Sequence, residues 1–117
     1  MQAQAVLRHC GRDGNATMHV VVEFIDAKPE HRAGLRAALL MMARHVLEKK
    51  IGCHLFDICQ DDFDGSAFLV YQVFENQSAY RAHQELPGYA EHRLLVDPWI
   101  EHRRALSYEL LTAAGVG

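Results

Sequence analysis

Residues 19–25 read His-Val-Val-Val-Glu-Phe-Ile, apolar at five of seven positions and rich in β-branched side chains. Strand alternation puts His19, Val21, Glu23 and Ile25 on one face and Val20, Val22 and Phe24 on the other, which predicts a strand covered on much of both sides. The period then changes. Leu35, Leu39, Met42 and Val46 recur at spacings of four, three and four, the apolar stripe of an amphipathic helix of about five turns. Pro29 fits the first turn of that helix, where its missing N–H costs nothing. Lys49 and Lys50 followed by Gly52 suit its C-terminus, where positive charge and a left-handed residue are favoured.

Alternation returns over residues 53–60 and again over 67–75, joined by the turn-forming segment Asp61-Asp62-Phe63-Asp64-Gly65. In the second of these strands Phe68, Val70, Gln72 and Phe74 share a face opposite Leu69, Tyr71 and Val73. Asn76-Gln77-Ser78 supplies an N-cap for a short helix through His83; Pro87 interrupts or restarts it, and residues 89–96 continue helically. A final strand is expected over residues 103–111. The order β-α-β-β-α-β predicts an α+β, ferredoxin-like domain with an antiparallel four-stranded sheet. Helices on one face of such a sheet leave the other open. Strands that are apolar on both faces therefore predict a homodimer in which a second copy covers it.

A chain of 117 residues makes one domain. With 50% hydrophobic and 23% charged residues, a net charge of −3 and no basic patch, a soluble globular protein is expected and nucleic acid is not an expected partner. Residues 1–17 contain the turn-rich run Gly11-Arg12-Asp13-Gly14-Asn15 and are expected to be an N-terminal extension, either disordered or preceding a native start at Met18. The domain proper is expected over residues 18–111, with 112–117 as a tail. No signal peptide is expected over residues 1–17 and no segment has the roughly 20 apolar residues of a membrane span, so a cytoplasmic protein without membrane contact is expected.

Cys10, Cys53 and Cys59 are odd in number and lack CxxC spacing, which argues against a disulfide framework or a structural zinc site. Cys53 and Cys59, six residues apart on one strand, are expected on the same face as small buried hydrophobes. The eight histidines form no His-x-x-x-His or His-Glu-x-x-His pair, so no metal site is expected. His31, His45 and His102 read as solvated, Phe56, Phe68 and Tyr71 as core, and Trp99 as a packing or interface anchor.

The strand Gly52-Cys53-His54-Leu55-Phe56-Asp57-Ile58, the strand from Phe68 to Asn76 and the helix ending His83-Gln84-Glu85-Leu86-Pro87-Gly88-Tyr89 follow one another in an order that resembles the antibiotic biosynthesis monooxygenase (ABM) family. The resemblance spans roughly residues 18–111 and implies a dimeric α+β barrel with a cleft between sheet and helices in each protomer. It also implies oxidation of phenolic molecules by dioxygen without metal or flavin. The chain departs from the family's pattern at Lys50-Ile51-Gly52, where Glu-Pro-Gly is usual, at Gln72, where a strand glutamate is common, and at Gly88, often histidine. Relatives that degrade haem carry a Trp where this chain has Phe74, which disfavours that chemistry.

His83, in Ala79-Tyr80-Arg81-Ala82-His83, matches the histidine that such relatives commonly carry and is the expected catalytic base. A neutral imidazole can take a phenolic proton, and the resulting anion can pass an electron to dioxygen directly, so no cofactor is expected. The competing structural role for His83 is a part-buried ring beside Pro87, hydrogen-bonded to backbone. Glu23, Gln72, Phe74, Tyr89 and His92 are the expected substrate contacts. Three functions stay open: a cofactor-independent monooxygenase acting on a quinol, anthrone or similar polyphenol, which the resemblance favours; an isomerase or other proton-transfer enzyme acting on a small carbonyl compound; and a non-catalytic dimeric ligand-binding module.

Overall fold

Strand β1 (His19–Ala27) takes the centre of the sheet because both its edges are paired, with β3 (Ala67–Phe74) on one side and β4 (Ile100–Glu109) on the other. Strand β2 (Cys53–Gln60) pairs with the far edge of β3, giving the order β2-β3-β1-β4, antiparallel throughout. This is the α+β, ferredoxin-like arrangement expected from the order of elements. The computed structural model describes residues 17–49 and 51–111. Apart from Thr17, the expected extension and tail lie outside the described residues.

Helix α1 (Arg32–Lys49) follows a 3-10 turn at Pro29–His31 and buries Leu35, Leu39, Met42 and Val46, the four residues of the apolar stripe. They pack with Ile25, Phe56, Phe68 and Val70 on one face of the sheet. Gly52 links α1 to β2 with a φ of +91°, and a Cβ there would stand 2.9 Å from the Cβ of Ala79. Only glycine allows both the turn and that close approach. Trp99 packs against the same core and its ring stacks with His31 at 5.8 Å, so His31 is half-buried while His45 and His102 are exposed.

Two expectations need correction. The last strand runs from Ile100 to Glu109 rather than over 103–111. The residues missed at its start are Ile100, Glu101 and His102, where two polar side chains break the apolar pattern and a register shift interrupts the pairing with β1. Cys53 and Cys59 also do not share a face. A register shift between Cys53 and Leu55 leaves Cys53 opposite Phe74, towards the helices, and Cys59 opposite Leu69, on the other side, where it is exposed. Burial pushes the Cys53 thiol up to about 12 while its Sγ donates to the Leu55 carbonyl at 3.2 Å, so it is an inert, packed group.

The sheet face away from the helices carries an apolar cluster, with Asp57 and Arg104 also on it. Val20 and Val73 cluster there with Met18, flanked by Val22, Tyr71 and Leu110. Phe24 (46% exposed), Leu55 (37%) and Tyr108 (52%) stand open to solvent on that face. Among the described residues no helix is long and apolar enough to cross a membrane.

Candidate active site

Helix α2 (Gln77–Gln84) starts where Asn76 Oδ1 accepts a hydrogen bond from the Ala79 N–H at 2.9 Å, satisfying one of the donors that a helix start leaves free. With only eight residues, α2 depends on its packing for stability. His83, near its end, is the residue it buries, with 2% of its surface exposed. Helix α3 (Pro87–Val96) then starts on Pro87, whose fixed φ suits a first helical position. Tyr89, His92 and Arg93 lie along its inner side.

Four aromatic rings surround His83. Tyr89 meets it edge-on at 5.0 Å, Phe74 lies tilted at 5.4 Å, Phe56 edge-on at 6.0 Å and Tyr80 tilted at 6.3 Å. Its Nδ1 is buried and has no hydrogen-bond partner among the described residues, which removes the backbone bond expected of a purely structural histidine at that atom. Burial first, and the neighbouring His92 second, push His83 down to about 4, so the ring is neutral at pH 7. Burial also holds His92 down to about 4, helped by Arg103 and Arg93 and opposed by Asp97. Two neutral imidazoles thus face the same interior.

That interior is a cavity of about 20 Å³ between sheet and helices. It brings together His83, Glu23, Gln72, Tyr89 and His92, five of the six residues singled out from the sequence. Phe74 does not line it and acts instead through its ring contact with His83. Glu23 and Gln72 come from β1 and β3 at diagonal register positions, and Gln72 Nε2 donates to Glu23 Oε1 at 3.2 Å. The amide matters here. An amide can donate to the Glu23 carboxyl oxygen, which a second carboxylate in its ionised form could not do.

Three further polar residues at the cavity were not singled out in the sequence. Tyr80 lies one helical turn before His83; burial, with Tyr89 and Glu23 nearby, pushes its phenol up to about 12. The three-residue spacing on a short helix was the available signal. Arg93 donates to the Tyr89 hydroxyl at 3.0 Å and to Asp97 at 3.0 Å. Arg103 reaches Asp97 at 3.5 Å while its Nε is buried without a partner among the described residues. It lies opposite Ile25, on the helix-facing side of β4, within the strand expected from the sequence, but alternation alone does not say which face of the sheet it takes. Among the described residues no group of three or more His, Cys, Asp or Glu side chains is placed to hold a metal ion.

The arrangement offers a neutral proton acceptor in an aromatic, water-poor setting. The sequence model of the antibiotic biosynthesis monooxygenase family matches residues 18–93. Among solved structures, the chain is similar to a Nitrosomonas europaea protein provisionally named an antibiotic biosynthesis monooxygenase, at 24% identity and a TM-score of 0.78, covering 86% of this chain and 97% of that one. A Deinococcus radiodurans protein with the same provisional name aligns at 23% identity and a TM-score of 0.76, covering 85% and 98%. Rv0793 from Mycobacterium tuberculosis aligns at 20% identity and a TM-score of 0.76, covering 85% and 100%. At these identities the likeness is one of fold. No curated protein matches the chain.

Proposed function

This chain belongs to the antibiotic biosynthesis monooxygenase family, and from that premise we propose that it is a cofactor-independent monooxygenase. Its substrate is an electron-rich quinol, anthrone or similar polyphenol, its oxidant is dioxygen, and His83 is the proton acceptor. The observation that carries the proposal is the buried, neutral His83 ring with an unpartnered Nδ1, held among four aromatic rings. In the reaction His83 takes a proton from the substrate, and the anion passes one electron to dioxygen. The substrate radical and superoxide then join through a carbon–oxygen bond. The peroxide formed takes the proton back and loses water as the C–H bond next to it breaks, leaving a carbonyl. One oxygen atom enters the product and the other leaves as water.

Magnitudes bear on whether so weak a base can act. Moving a proton from a phenol of pKa about 10 to an imidazole of about 4 costs about 8 kcal/mol. The attraction between the imidazolium and phenolate so formed offsets about 4 kcal/mol at 4 Å and an effective dielectric of 20. The remainder fits within the barrier of about 16 kcal/mol that corresponds to roughly 10 turnovers per second. A site that excludes water also keeps the peroxide from solvent. The enzyme works as a homodimer whose two open sheet faces meet, a reading supported by exposed Phe24, Leu55 and Tyr108 on that face.

The test is oxygen consumption with hydroquinones, naphthoquinols and anthrones. Uptake should exceed the spontaneous rate and fall about 100-fold or more in His83→Ala, the usual scale for loss of a general base. Uptake unchanged in the variant would remove His83 from the mechanism. Turnover of substrate under nitrogen would instead point to proton transfer without oxidation.

A further inference from the structure

The space between sheet and helices, about 20 Å³, has room for one water molecule or a dioxygen but not for an aromatic ring. A second cavity of about 320 Å³ lies on the helix side, between the C-terminal half of α1 and the corner joining α2 to α3. That volume falls at the lower end of small-molecule sites. We propose that the substrate ring docks in this outer cavity and meets His83 from there, and that the missing side chain at Gly88 keeps the cavity open. The inference rests on the reading of His83 as the proton acceptor.

The geometry of the partition is the main support. Met42, His83 and Tyr89 line both cavities, so His83 stands between a chamber of ring size and one of dioxygen size. Met42, Val46, Leu86 and Pro87 supply the apolar wall of the outer chamber, which His45 and the oppositely charged pair Lys49 and Glu91 also line. An apolar wall beside the neutral His83 imidazole suits a planar molecule of one or two rings bearing a weakly acidic hydroxyl. Gly88 lines the chamber, and a Cβ built on it would meet nothing within 4 Å. A large side chain at 88 therefore has room to occupy the space that the ring would take.

The test uses 2-naphthol as the probe, titrated into the full chain by calorimetry, with the Met42 methyl resonance as a local reporter. Wild type should bind saturably and shift that resonance. Gly88→Trp should weaken binding tenfold or more, whereas Leu94→Trp, which adds the same ring at an 80% exposed position of α3 outside both cavities, should bind within twofold of wild type. Glycine is a poor helix former, so Gly88→Trp is not expected to lower the melting temperature, which is measured alongside. Equal affinity in Gly88→Trp, or no saturable binding to wild type, overturns the docking site. The two proposals fail separately. Oxygen uptake with a naphthoquinol at the same KM in wild type and Gly88→Trp would leave the monooxygenase standing and remove the outer cavity. Lost naphthol binding in the variant, with no oxygen uptake by wild type, would keep the cavity and remove the chemistry.

Discussion

His83 reverses the usual use of a histidine near neutral pH: burial and His92 hold it uncharged until about pH 4, where an exposed imidazole charges near 6.5. Linkage gives the sign. Between pH 6.5 and 4 the unfolded chain binds a proton at this position and the native chain does not, so stability is full above pH 6.5 and falls as pH drops through that window. The loss reaches about 3 kcal/mol from His83. Urea midpoints measured from pH 7.5 to 4.5 should therefore fall less steeply in His83→Gln than in wild type, and parallel curves would show that the native ring titrates normally. The acid limb of kcat/KM should likewise lie near pH 4, not 6.5, since that parameter reports the free enzyme. At this scale the sequence was informative in two ways. Glu23 and Gln72 could be named as candidates on their own strands, while His83 was marked by the family resemblance rather than by helical spacing. Arg93 and Arg103 could not, because each acts through Asp97, a residue at the end of α3 that no periodicity marks.

Among the elements, α2 carries the most function on the least structure. One cap and one buried residue hold its eight residues, and that buried residue is the proposed base. Asn76→Ala should cost about 1 kcal/mol. It should also lower kcat more than it raises KM, because loss of the cap frees the helix that orients His83; an unchanged kcat would mean that the aromatic cage alone positions the ring. Helix α1 was legible down to its four buried residues because an amphipathic stripe is set by local spacing. The β2 bulge was not. A single register shift between Cys53 and Leu55 reverses which face each residue takes upstream of it, and nothing in the alternation of residues 53–60 signals where pairing slips. The start of β4 was hidden for a related reason: Ile100 is separated from the rest of the strand by polar Glu101 and His102 at a second register shift, opposite Asp26 and Ala27.

For the whole molecule, the asymmetry of the sheet is the governing fact, with helices on one face and, on the other, a buried cluster of Met18, Val20 and Val73 beside the exposed Phe24, Leu55 and Tyr108. Phe24 sits in the middle of that open face, opposite Leu69 and Arg104 on the neighbouring strands. Phe24→Glu should convert a wild-type particle of twice the 13.2 kDa chain mass into a single chain, read by sedimentation equilibrium, whereas a monomeric wild type would refute the dimer. The proportions of the fold, four paired strands in the order β2-β3-β1-β4, follow from an element sequence that could be read directly, but the identity of what covers the open face depends on a second surface that one chain does not display. That face has a consequence for abundance. In the proposed dimer, where two copies meet to hide Phe24, Leu55 and Tyr108, each tenfold dilution of the chain would remove about 1.4 kcal/mol of stability per dimer. The thermal midpoint should accordingly climb with protein concentration, and a cell making few copies would hold a larger share of them unfolded.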